Sequence, residues 1–464
     1  MSDDLCFMSA AEAGRKIAAK QLSSAELTDA LLARTEALDG RLNAYIEVLG
    51  DAARASARAA DDAVAKGEIK GPLHGVPVAL KDIIDLKGVR TTAHSKLLLD
   101  NVATSDAFVT ARLKEAGCVI TGKLSTHEFA IGGPAFDLPF PPARNPWNPE
   151  HHPGGSSSGA GSSVAAGMVP VALGSDTGGS VRNPASCCGI VGIKPTYGRV
   201  SRAGVIPLSF SLDNVGPLTR TVEDNALMLA AIAGHDPRDP ASDKRPVDDY
   251  TARLRAGVKG LKIGLIRHFY NEDLQADPEM AESIEATARL LESLGAEVRE
   301  IRLPPLSQYA ACNRVILLAE AYAIHQKDLQ TRAGDYAAST RRRLLPGAFV
   351  SGADYVNALR MREKLVAAFN EAMEGLDAAV TASSMEPPVS MADMQEVERT
   401  YGRQARAPFN LIGNPAIAIP SGFHSNGLPL ALQIVGRAFD EAMCFRVAWA
   451  VEQELNLGVR RPPL

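Results

Sequence analysis

No apolar run in the 464-residue sequence approaches the ~18 residues needed to cross a bilayer. Long basic runs are missing too. With 49 Lys+Arg against 54 Asp+Glu the formal charge is −5, so neither nucleic acid nor an anionic membrane is an expected partner. The start, Met1-Ser-Asp-Asp-Leu5, lacks the basic stretch of a signal peptide, which makes the cytoplasm the expected location. Cysteines are few: six, none in a CxxC pair, and they are expected as reduced thiols packed like small hydrophobes. His151-His152 is followed by no carboxylate or thiol at ligand spacing. It reads as a surface pair, and neither a metal nor a cofactor is expected.

What remains is an ordinary soluble composition, 46% hydrophobic and 22% charged, with an ordered change of texture along the chain. Residues 1–70 form a helical N-terminal segment, in which Ser9 with Glu12 and Ser23 with Glu26 have capping-box spacing. From 73 to about 220 short apolar runs, Val76-Pro-Val-Ala-Leu80, Cys118-Val-Ile-Thr121 and Val169-Pro-Val-Ala-Leu173, alternate with Gly, Ser and Pro and read as buried strands. Strand and helix patterns then alternate, as in Leu261–Ile266 followed by a helix near 278–295, while 310–375 reads as a helical cap or insertion. The expectation is one α/β domain over 1–464, with a central mixed, largely parallel sheet covered by helices on both faces.

Two near-motifs fail on context. Gly117-Cys-Val-Ile-Thr-Gly-Lys123 begins like a phosphate-binding loop, but Leu124 stands where a Mg²⁺-binding hydroxyl is required. Gly155-Ser-Ser-Ser-Gly159 has nucleophile-elbow spacing around Ser157, yet three prolines in Asn145–Pro153 replace the strand that an elbow needs. The run Gly154–Ser163 has linker composition, but it leads straight into apolar patterns, which a linker does not do.

Left standing are Ser156 in the first glycine-serine turn, Ser180 closing Asp176-Thr-Gly-Gly-Ser180, and Lys81 ending an apolar strand. Together they are the parts of an acyl-transfer site: nucleophile, relay and base. The segments around them resemble the amidase signature family: Gly75–Asp82, Thr126–Ala130, Arg144–Trp147, Pro153–Ala160, Gly174–Arg182, Gly189–Pro195, Ser211–Pro217 and Gly427–Arg437. The likeness covers nearly the whole chain.

The resemblance implies the amidase signature fold and a Ser-cis-Ser-Lys site, with Ser180 as nucleophile, Ser156 at a cis peptide and Lys81 as base. A lysine serves as base at neutral pH only if burial pulls its pKa down from ~10.4. A serine hydroxyl can both donate and accept, so it can relay the proton. Backbone N–H groups of Thr177, Gly178 and Gly179 are expected to form the oxyanion hole. Asp176 and Asp213 are expected to support the site with charged hydrogen bonds, and Arg182 is a candidate for an anionic substrate group.

The sequence departs from the family in Gly133–Pro142, apolar and proline-rich where many relatives are polar, and in Thr381–Pro388. Ile131, Gly132, Phe136 and Met385 are therefore candidate substrate-binding residues. The expected function is an amidohydrolase: a small-molecule carboxamide acylates Ser180, ammonia or an amine leaves, and water releases the acid. The alternative within the family is the glutaminase subunit of a tRNA-dependent amidotransferase, and segment 133–142 favours the former. A silent scaffold is set aside because all three catalytic positions are filled. By analogy with many relatives, a homodimer is the expected assembly.

Overall fold

In the computed structural model, which describes residues 3–464, the capping serines start their helices as expected. Ser9 accepts the Glu12 N–H at 3.1 Å at the head of Ala10–Ala18, and Ser23 accepts that of Glu26 at 2.9 Å at the head of Ser24–Leu42. No helix among the described residues is long and apolar enough to cross a membrane. All six cysteines are buried.

The strands are β1 (Tyr45–Val48), β2 (Pro77–Lys81), β3 (Val119–Leu124), β4 (Val171–Asp176), β5 (Val191–Lys194), β6 (Asn214–Thr219), β7 (Lys262–Leu265), β8 (Glu297–Glu300), β9 (Ala378–Ala382), β10 (Ala416–Phe423) and β11 (Pro429–Val435). They form one sheet in the order β1-β3-β2-β4-β6-β5-β10-β11-β9-β7-β8. The sheet is mixed, but its parallel share is smaller than the alternation of patterns suggested. Four of its ten pairings are parallel: β2 with β3 and β4, and β7 with β8 and β9. Parallel neighbours need a crossover, normally helical, and helices Phe108–Glu115, Ser158–Ala165 and Pro278–Ser293 supply three of them. The middle of the sheet is antiparallel: a loop joins β5 to β6 and a hairpin joins β10 to β11. One strand also lies inside the N-terminal helical segment, where β1 covers the outer edge of β3.

Every residue of β2, β3 and β4 is buried, which explains their unbroken apolar runs. The glycine-serine run is core rather than linker. Helix Ser158–Ala165 is buried at all eight positions, and a Cβ on Gly159 would lie 2.2 Å from the Ala44 carbonyl oxygen. Only the smallest side chains allow that approach. The result places Lys81 and Asp176 at the carboxyl ends of neighbouring parallel strands, where open α/β sheets hold their ligands.

Candidate active site

Lys81 is the last residue of β2 and is fully buried. Its Nζ donates to Ser156 Oγ at 2.7 Å and to Ser175 Oγ at 2.9 Å. Burial lowers its pKa to about 7, against the opposing pull of Asp213 and Asp176. Ser156 is fully buried, follows a cis peptide from Gly155, and accepts the His127 N–H on its carbonyl at 3.0 Å. The next residue brings the two serine turns together, since Ser157 N–H donates to the Ser180 carbonyl at 3.2 Å. The Ser157 hydroxyl is itself tied to the backbone of Ser175, donating to its carbonyl and accepting its N–H, each at 3.2 Å. This engagement agrees with rejecting the elbow. Ser175 as second partner of Lys81 was missed, although it sits one position before Asp176 in the same glycine-rich motif.

Asp176 organises the second turn. Its carboxylate accepts the backbone N–H groups of Gly179 (2.8 Å), Val181 (3.1 Å) and Arg182 (3.3 Å), and it pairs with the Arg182 guanidinium. Burial alone would raise its pKa, but Arg182 and Asn410 hold it far below the usual carboxylate range. Two expectations are corrected here. The Gly179 N–H is spent on Asp176, so the unengaged amides of the turn, among the described hydrogen bonds, are those of Thr177, Gly178 and Ser180. Arg182 does not face a substrate: it is fully buried, and besides Asp176 it bonds the Arg406 carbonyl (3.0 Å), Gln433 (2.9 Å) and Asn410 (2.6 Å). A guanidinium with its whole fork engaged has no donor left to offer.

Asp213 accepts the Thr177 hydroxyl at 2.6 Å and the N–H groups of Leu208 and Ser209 at 2.8 and 3.0 Å, and burial raises its pKa. A cavity of about 280 Å³ reaches the site at Ser175 and Asp213 and is walled by Ile83, Ala130, Val205, Ile206, Leu208 and Phe210. Two of the charges on its lining, Arg202 and Asp239, are paired with each other at 2.7 Å.

The structure places the expected pocket residues away from the cavity. Phe136 is 60% exposed and Met385 is wholly enclosed in the core, because an apolar residue in an unusual segment has no reason to face a ligand rather than solvent or its own neighbours. Ile131 packs half-buried on the core, and Gly132 takes φ +92° beneath Thr340; neither lines the cavity. The histidine pair is not a surface pair either: His151 is half-buried, and His152 is buried, its Nδ1 accepting the Gly154 N–H at 3.1 Å. No cluster of three or more metal-ligating side chains exists among the described residues.

A serine-bonded lysine whose pKa is pulled down by burial, beside a turn with unengaged amides, is equipment for acyl transfer, and the fold that carries it is shared with amidases. Residues 26–445 match the family described as Amidase. The chain is 42% identical to a glutamyl-tRNA(Gln) amidotransferase subunit of Anaeromyxobacter sp. (strain K), over 98% of this chain and 97% of that one. It superposes with TM-score 0.92 and 32% identity on a chain from an "unexpected vestigial protein complex" tied to the origins of an s-triazine catabolic enzyme, covering 98% and 100%. Peptide amidase from Stenotrophomonas maltophilia superposes with TM-score 0.86, 32% identity and 98% coverage of both chains. The chain belongs to the amidase family and is an amide-hydrolysing enzyme.

Proposed function

We propose that Ser180 attacks a carboxamide carbonyl while its proton passes through Ser156 to Lys81. The observation that carries this reading is the 2.7 Å contact of Lys81 Nζ with Ser156 Oγ at a site without solvent exposure. The developing oxyanion meets the unengaged N–H groups of Thr177 and Gly178, where each such donor is worth about 10²–10³ in rate. The proton then returns by the same path to the leaving nitrogen, the C–N bond breaks, and a water releases the acid from Ser180. Ser180→Ala is expected to abolish turnover with the fold intact, and a fluorophosphonate is expected to label Ser180; labelling at Ser157 would overturn the assignment.

For the setting of this chemistry we put the glutaminase subunit first, because full-length relatives at 42% identity carry the name of a glutamyl-tRNA(Gln) amidotransferase subunit. Glutamine is then the substrate, and the ammonia passes to partner chains. A stand-alone amidohydrolase, assembled as a homodimer, is the second reading. It is favoured by the cavity, whose apolar walls and mutually paired charges suit a neutral acyl group better than a free amino acid. A cytoplasmic setting suits both, given that Cys118, Cys187, Cys188, Cys312 and Cys444 are buried free thiols. Ammonia release from glutamine, stimulated by co-purified partner chains, supports the first; turnover of aliphatic or aryl amides by the chain alone, with glutamine inert, supports the second.

A further inference from the structure

Glu320 lies midway along helix Leu306–Thr331 and is 8% exposed. Its carboxylate accepts four neutral donors. Oε2 takes the Ser209 hydroxyl at 2.5 Å and the Ser211 N–H at 3.0 Å, and Oε1 takes the Ser211 hydroxyl and the Tyr355 hydroxyl, each at 2.7 Å. Three of these donors belong to the short segment 208–213, whose other side is held by Asp213 through the N–H groups of Leu208 and Ser209. Asp213 in turn holds Thr177. Loops without such ties are mobile, and a buried carboxylate left unsatisfied is costly. Two carboxylates therefore dictate the segment's position: Glu320 holds it from the helices, and Asp213, its own last residue, folds it back on itself and accepts the Thr177 hydroxyl of the catalytic turn.

We propose that Glu320 is a positioning residue: through this carboxylate the helices 306–331 and 352–372 hold segment 208–213 so that Leu208 and Phe210 wall the cavity and Asp213 stands against Thr177. The inference rests on Lys81 and Ser180 acting as described above. None of the signature segments contains Glu320, and its nearest contact to the site is through hydroxyls and amides, so it touches no reacting atom.

An alkyl fluorophosphonate tests this on the full-length enzyme without knowledge of the natural amide. The concentration for half-maximal labelling of Ser180 reads the cavity wall, and the acid limb of the labelling rate reads the charge around Lys81. The titratable groups facing Lys81 are Asp213, Asp176 at the end of β4, and His127 on the turn after β3, whose pKa burial pushes well down. Only Asp213 sits on the clamped segment. Glu320→Ala is expected to raise the half-maximal concentration about 10-fold, within the range that misplacement of remote supports produces. It is also expected to move the acid limb to lower pH, since Asp213 raises the Lys81 pKa and its retreat removes that pull. Glu320→Gln keeps an acceptor oxygen and restores most of both quantities, and Tyr355→Phe gives a smaller change in the same directions. A folded Glu320→Ala enzyme with both quantities unchanged overturns the proposal. If that variant does not fold, Tyr355→Phe decides, and unchanged values of both quantities there overturn it. Labelling that survives Ser180→Ala signals failure of the underlying reading instead.

Discussion

Lys81 ends β2 and Lys123 is the last residue but one of its parallel neighbour β3, opposite Leu80, and neither has any solvent exposure. Their partners separate them. Lys123 Nζ meets the Asp82 carboxylate at 2.9 Å, the Thr91 hydroxyl at 2.9 Å and the Arg90 carbonyl at 3.1 Å. Lys81 Nζ meets two serine hydroxyls and no carboxylate. The carboxylate and carbonyl contacts make Lys123 a tie between loops; Lys81, whose contacts are hydroxyls alone, can give its proton up near neutrality. Lys194 adds a third case. It is buried with a pKa lowered to about 7 by desolvation, yet its described bond goes to the Pro195 carbonyl. A depressed pKa without a serine to deprotonate makes no base, so the hydroxyl contact is the decisive difference.

The comparison breaks most visibly on the Lys81 side. Lys81→Met and Ser156→Ala are each expected to lower kcat by on the order of 10³–10⁴, and the double variant by far less than the product, as for groups on one proton path. Independent, multiplying losses would separate the two residues. On the other side, Lys123→Met is expected to cost about 3–5 kcal/mol of stability by leaving Asp82 buried without its cation. Urea unfolding measures that loss, and kcat per folded molecule should stay within a few-fold of the parent. A collapse of kcat in the folded Lys123→Met enzyme would erase the distinction between the strands.

The pH profile sharpens the comparison further. Lys81 must be neutral to accept a proton, so kcat/KM for an uncharged amide is expected to rise with pH along a limb near 7 and then level off. A limb near the ordinary ~10.4 of lysine would show Lys81 charged at neutrality. Asp213→Asn gives the smallest effect. It removes a carboxylate that raises the Lys81 pKa, so the limb is expected to move to lower pH by less than about one unit, an interaction of no more than ~1.4 kcal/mol. A shift to higher pH would mean that Asp213 acts through Thr177 and the turn rather than through its charge.

Much of this site is legible in the sequence. Lys81, Ser156 and Ser180 sit in short glycine-rich motifs whose spacing and residue types are local properties, and the buried strands β2, β3 and β4 announce themselves as unbroken apolar runs. The errors share one cause. Arg182 was read beside its sequence neighbours, but the partners that occupy it, Arg406, Asn410 and Gln433, lie 224 to 251 positions away. The Gly179 amide counts as free until Asp176 folds back onto it. Phe136 and Met385 were judged by the oddity of their segments, and burial sorted one to solvent and the other to the core.

The residues that carry charge, hydroxyl or conformational freedom, and the order in which strands and helices follow, were settled by the sequence alone, because backbone preference and apolar period act over a few residues. The tertiary structure alone decided which of three buried lysines touches a serine, which amides remain unengaged, and that the cavity wall is segment 208–213 held by Glu320. Those outcomes depend on which distant donor reaches each buried acceptor, and a buried polar group takes whatever partner the packing brings.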